Sequence, residues 1–233
     1  MSASKVLILA GGFGIGLREI FHGRPKHLIP INGKPFLHYL IKLLRNNNLT
    51  DIVLAVGYLS SQIIGEIGDG SKLGVKIVYS VDSRPLGTAG SVKNAQKYFK
   101  DDFLIINGDT YLDIDYQELI DFHKKNRADF TLVGTTKHRN WLMLLVKNRK
   151  LLKIDKKGKL GNAGVYVMKP KILKYIEQGE KTSLETELLP LLLKKKKRVF
   201  VFESNKEYYD IDSPDHYLET QKKLKKNENK RQN

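Results

Sequence analysis

Short apolar runs alternate along this chain with stretches whose apolar residues recur every three or four positions. The runs lie at 5–10, 52–56, 75–79 and 103–106, each bounded by polar or glycine residues. They are too short for helices and predict strands buried on both faces. Between them, Phe36, Leu40, Leu43 and Leu44 keep helical spacing and predict a helix near 36–48. A second helix is expected near 60–67, begun by Ser60 or Ser61, and a third at 90–98. Later strands are expected at 130–134, 142–146, 151–154 and 164–168. Strands joined by crossover helices imply an α/β fold, a mostly parallel mixed sheet with helices on both faces. No stretch reads as a linker. The expectation is a single domain over residues 1–224, with 225–233 a basic tail fraying from a helix.

Charge changes this picture little. The 233 residues carry a formal net charge of +16, but Lys194 to Arg198 contributes +5 and Lys222 to Arg231 another +5. The remaining charge, about +6, suits a domain that handles phosphorylated substrates. The two basic runs read as solvated helix ends, where cations complement the helix dipole. A nucleic-acid arm would need aromatic residues among the cations, and neither run has them. The chain has no cysteine, so no disulfide and no thiolate ligand. Its six histidines show no spacing suited to zinc. No apolar run approaches a membrane span, and the start lacks a signal-peptide core. The expectation is a cytoplasmic protein with no membrane or nucleic-acid partner; a homo-oligomer is left open.

Chemistry concentrates where strands end. The first strand runs into Ala10-Gly11-Gly12-Phe13-Gly14-Ile15-Gly16-Leu17-Arg18, whose bare backbone can bring N–H groups against phosphates or a purine. About ten residues later, prolines on both sides of Lys26 stiffen the segment that carries it. An anion cradle beside a fixed cation suits a nucleoside triphosphate. The loop is not a dinucleotide fingerprint, whose last glycine is here Leu17, nor a Walker A loop, where Lys-Ser/Thr would replace Leu17-Arg18. Alone, it reads equally well as a tight turn between strand and helix.

Asn107-Gly108-Asp109 closes another buried strand, at the sheet edge where open α/β folds bind ligands, and a carboxylate there suits Mg²⁺. Its plainer reading is an Asn-Gly turn with a helix-capping aspartate. Tyr208 to Asp215 holds three carboxylates; Ser213-Pro214 is a good helix start, which explains Ser213 but not Asp210.

These segments stand in the order found in the sugar-1-phosphate nucleotidyltransferases, together with Gly68-Asp69-Gly70-Ser71-Lys72-Leu73-Gly74-Val75, Pro85-Leu86-Gly87-Thr88-Ala89-Gly90, Asn162-Ala163-Gly164-Val165-Tyr166 and Tyr209-Asp210-Ile211-Asp212-Ser213-Pro214. The chain resembles that family from residue 5 to about 220. Its short guanylyltransferases, acting on heptose- or mannose-1-phosphate, resemble it most. The resemblance implies a Rossmann-like fold, Mg²⁺ as cofactor, and an NTP and a sugar 1-phosphate as substrates; the Leu-Gly-Thr-Ala-Gly spelling points to GTP. It implies that Leu9, Ala10, Gly11, Gly12, Gly14, Lys26, Gly87, Thr88, Ala89 and Gly108 hold the nucleotide, with a flat base against Gly87–Gly90. Asn107, Lys156, Asn162, Gly164 and Glu185 would hold the sugar phosphate, and Asp109 and Asp210 the metal. Lys26, Asp109, Lys156 and Arg18 would carry the chemistry.

One position breaks the pattern. The family's G-T-R-L is here Gly14-Ile15-Gly16-Leu17, so the guanidinium that steadies the transferred phosphoryl group is missing. Arg18 and Arg24 are near enough in sequence to replace it, and Asp212 stands where D-x-G-T-P has its glycine. The sequence therefore supports a working transferase or a sensor of nucleotides or nucleotide sugars with little turnover. The total charge motivates a third class, a nucleic-acid-binding protein.

Overall fold

The computed structural model describes residues 5–12, 14–17, 20–137 and 142–230. The first half contains β1 (Val6–Ala10), β2 (Pro30–Ile31), β3 (Lys34–Pro35), α1 (Phe36–Asn46), β4 (Asp51–Val56), α2 (Ser60–Ile67), β5 (Lys76–Val81), α3 (Gly87–Asn94), β6 (Phe103–Asn107) and β7 (Thr110–Leu112). The second half contains α4 (Tyr116–Lys125), β8 (Phe130–Thr135), β9 (Met143–Lys147), β10 (Lys150–Ile154), β11 (Leu160–Met168), α5 (Leu189–Lys194), β12 (Val199–Ser204), β13 (Tyr208–Asp210) and α6 (Pro214–Lys230). Nine strands form one sheet in the order β5-β4-β1-β6-β11-β8-β12-β10-β9, and β9 also pairs with the start of β11.

Strands β5, β4, β1 and β6 are parallel, as are β8 and β12, while β11, β10 and β9 enter antiparallel ladders. The expected sheet is mixed but mostly parallel; the observed one is mixed, and its parallel pairs are confined to its first half and one later pair. Connections explain the difference. Crossover helices separate the early strands, whereas Asn148 and Arg149, at φ 51° and 61°, join β9 to β10 in a two-residue turn that permits only antiparallel pairing.

The apolar runs divide their side chains between the sheet faces. Val6, Ile8 and Ala10 pack with α1, and Leu7 packs on the other side with α3 and α5, so alternate residues of β1 serve two cores. Phe36, Leu40, Leu43 and Leu44 are buried along α1. Helix α6 opens at Pro214 with Ser213 Oγ accepting from His216 N at 3.2 Å, and it continues to Lys230. Among the described residues no helix is long and apolar enough to cross a membrane.

The Lys194 run ends α5. Lys196 takes a left-handed φ of 53°, and Lys197 N closes the helix on Leu192 O at 2.9 Å. The chain then enters β12 at Arg198, whose N donates at 3.0 Å to Asp129, a residue 4% exposed just before β8 that also pairs with Lys171 at 2.7 Å. Burial would raise the Asp129 carboxyl, but bonds from Lys171 and Arg198 outweigh it and hold the group at about 2, against an ordinary 3.8. A carboxyl depressed on folding stabilises fully above the unfolded value, and the gain fades as pH falls toward the folded one. Asp129→Asn is therefore expected to lower stability by about 1–2 kcal/mol at pH 7. Urea unfolding at a series of pH values should show the gap closing between about pH 4 and 2.

Candidate active site

Two glycines bring the ends of β1 and β6 against the segment carrying Lys26, and a third faces the loop after β13. Gly108 N donates to Leu9 O at 2.8 Å, and a Cβ at 108 would lie 2.7 Å from that oxygen and 2.8 Å from the His27 ring. Gly14, at φ 60°, leaves room for Lys26 Cβ, 2.6 Å from where its own Cβ would fall. At Gly16 the same direction is filled by the backbone carbonyl of Asp212.

Lys26 Nζ donates to Asp109 Oδ2 at 2.8 Å and also to Asp212 Oδ1. Burial would lower the Lys26 pKa, but the two carboxylates hold it well above the usual lysine value, so the ammonium persists at neutral pH. Burial likewise opposes ionisation of Asp109, yet Lys26 keeps that carboxyl below its ordinary value. Burial, then the Asp109 charge, pushes Asp212 the other way. The His27 ring is buried and driven down to about 4 by desolvation, so it is neutral at pH 7 and Lys26 is the cation beside Asp109.

Asp210 reaches the same place from a hundred residues away. The β13–β7 ladder sets Asp210 opposite Thr110, one residue from Asp109. Asp210 is 4% exposed; its Oδ1 accepts from Asp212 N at 3.1 Å and lies 2.6 Å from His216 Nδ1. Both metal-ligand candidates are hard oxygen donors, and among the described residues no group of three or more His, Asp or Glu forms a metal cage. Two carboxylate donors without an all-protein cage fit Mg²⁺, which usually shares its oxygen ligands with substrate phosphates.

A second cluster adjoins the first. The register of β11 shifts between Asn162 and Tyr166, and Gly164 sits in the shift at φ 67°, its missing Cβ 2.7 Å from Asn107 Nδ2. Asn107 Oδ1 is buried without a partner among the described residues. Asn162 Nδ2 donates to Tyr166 OH at 2.9 Å, and Tyr166 OH donates to Glu185 Oε1 at 2.7 Å. Glu185 Oε2 accepts from Thr88 Oγ1 and Ser183 Oγ, both at 2.9 Å.

Several expectations are redirected. Gly87 and Gly90 are small because the chain's own 180–182 segment needs the space: their Cβ positions lie 2.6 Å from Thr182 O and Glu180 O respectively. A base cannot use that side of the turn, and Thr88 is turned toward Glu185. Lys156 is exposed in the turn after β10. Arg24 is exposed and donates to Leu28 O at 3.5 Å, and Arg18 lies outside the described residues.

Sequence reasoning missed Ser183 and His216, which no motif marks; it gave no role to Tyr166, which closes the Asn162–Tyr166 motif, and it missed Asp82. Asp82 is 8% exposed at the end of β5; it accepts from Ser91 Oγ and, at 2.8 Å, from Asn94 Nδ2. Its Oδ2 lies 3.7 Å from the Cβ position of Gly11, which puts it beside the glycine loop. A carboxylate just past the end of a strand was the signal available, one residue past β5 for Asp82 and two past β6 for Asp109.

Residues 5–141 match the family model for nucleotidyl transferases. The D-glycero-alpha-D-manno-heptose 1-phosphate guanylyltransferase of Campylobacter jejuni is 33% identical over 91% of this chain and 96% of its own length. The mannose-1-phosphate guanyltransferase of Pichia angusta is 32% identical over 92% of this chain, which spans 62% of that relative. The crystal structure of HddC from Yersinia pseudotuberculosis complexed with GMP-PN superposes with a TM-score of 0.84 at 29% identity, covering 95% of this chain and 99% of that one. With a glycine loop, a buried lysine and two strand-end carboxylates gathered at one sheet edge, this chain belongs to the nucleotidyl transferase family.

Proposed function

We propose that this protein transfers GMP from GTP to a sugar 1-phosphate of the heptose or mannose type, giving a GDP-sugar and pyrophosphate. The observation that carries the reading is Lys26, nearly buried and charged, at the meeting point of the glycine loop, Asp109 and the Asp210 segment. A phosphate oxygen of the sugar 1-phosphate attacks the α-phosphorus in line. A new P–O bond forms as the α–β bridge breaks, and the bridge electrons leave with pyrophosphate. Little covalent work falls to the chain, which orients two polyanions and neutralises charge. The glycine-loop backbone and Lys26 hold the triphosphate, while Asn107, Asn162, Gly164 and Glu185 line the sugar side. Asp109 and Asp210 would hold Mg²⁺, which when bound screens charge on the phosphates.

Asp82 supports guanine as the base. Guanine offers two adjacent N–H donors to a carboxylate beside the glycine loop, and adenine offers no such pair. Asp82→Asn is expected to reduce the preference for GTP over ATP, as a ratio of kcat/KM values, by about 10- to 100-fold. An unchanged ratio would place base selection elsewhere. The activity itself is tested by pyrophosphate release with each of the four NTPs against heptose 1-phosphates and mannose 1-phosphate. Release only with GTP and a sugar 1-phosphate together is expected; nucleotide binding without release under any pairing would favour the sensor reading.

A further inference from the structure

We infer that Asp212 is a displaceable counter-ion: it occupies Lys26 in the empty site, leaves it when the triphosphate arrives, and thereby sets nucleotide affinity. This rests on the reading of the site as a nucleotide site. Lys26 Nζ has two carboxylate partners, and they differ in mobility. The Asp109 side chain is 25% exposed and grows from the end of the sheet, whereas that of Asp212 is 59% exposed and free to swing into water. Only the Asp212 backbone is fixed, by its N–H on Asp210 Oδ1 at 3.1 Å and by its carbonyl against Gly16.

That backbone contact links the two departures from the family pattern. The loop after β1 and the loop after β13 approach so closely that residue 16 can carry no side chain while the 212 carbonyl stays where it is. Here the glycine is at 16 and the side chain at 212. Where the pattern has an arginine and a glycine, this chain has a glycine and an aspartate, so the phosphate locus loses a positive charge and gains a negative one. A triphosphate reaching Lys26 meets a like-charged group already bound there, and that group must leave for the ammonium to bond a phosphate oxygen.

Equilibrium binding of GTP, with and without Mg²⁺, to the full chain and to Asp212→Asn and Asp212→Gly tests this. Both variants should bind GTP about 3- to 30-fold more tightly than the unmodified chain, without Mg²⁺ as well as with it. Thermal unfolding identifies the folded variants, and either one suffices. Unchanged or weaker binding overturns the inference, and weakening only with Mg²⁺ would make Asp212 a metal ligand instead. If the unmodified chain binds no GTP, the nucleotide-site reading fails and takes this inference with it; if it binds and the variants do not differ, the inference alone fails.

Discussion

Lys26→Met should lower kcat/KM by about two to three decades while leaving the chain folded. Methionine keeps the apolar stem that packs against Gly14 and removes only the ammonium. Asp109 and Asp212 would then face the incoming triphosphate with no cation between them. Each lost charged donor at a developing phosphoryl charge is worth about 3–4 kcal/mol, which is the expected loss in rate. Because the Lys26 pKa is raised, the residue stays protonated through neutral and mildly alkaline pH, and its titration should leave no limb in the rate profile there. Lys26→Arg keeps the charge but trades a compact ammonium for a planar fork, and should recover only part of the rate. Steady-state kinetics with thermal unfolding as a control check this; a loss below tenfold would remove Lys26 from the triphosphate.

Gly16→Arg should lower turnover rather than restore it. The family pattern suggests that returning the arginine would return the missing charge. The geometry opposes this, because the Cβ direction at 16 points into the Asp212 carbonyl, and backbone cannot swing aside as a flexible side chain can. Any side chain at 16 must push the 210–213 loop, which carries Asp210 beside Asp109 and Asp212 onto Lys26. Overpacking of this kind typically costs about 1–3 kcal/mol, and the displaced loop should cost about 10- to 100-fold in kcat. Gly16→Ala should show a smaller loss of the same sign. Matched kcat and thermal-midpoint measurements decide; a faster Gly16→Arg enzyme would show that the loop yields and that the lost guanidinium limits the natural chain.

How much of this was legible in the sequence depended on distance along the chain. The four early strands, of five or six residues each, announce themselves as apolar runs, and helix α1 by apolar residues at helical spacing. The hairpin β2–β3 and the pair β7–β13 are two- and three-residue strands, too short for any period to register. That matters most for β13, since its pairing with β7 is what carries Asp210 to Asp109. The family pattern set Asp109 and Asp210 on one metal in advance, but neither it nor anything local in Tyr208-Tyr209-Asp210 foretold the strand pairing. The direction of β9, β10 and β11 was hidden for another reason: alternating apolar runs say strand, but only the turn at Asn148-Arg149 says antiparallel. Among site residues, the fold brings motif-borne Lys26, Asn107, Gly108 and Gly164 together, and it alone gives the partners of Tyr166 and the place of Asp82. Small residues at 87 and 90 read as space for a ligand, and the space is filled by Glu180 and Thr182 backbone.

The most direct test of the account follows the atoms. Incubated with a sugar 1-phosphate, Mg²⁺ and GTP labelled at the α-phosphorus, the protein should move the label into a GDP-sugar, while label placed at the β- or γ-phosphorus should leave as pyrophosphate. Label from the α-phosphorus appearing in free GMP, or staying in unreacted GTP that the protein nonetheless binds, would contradict it.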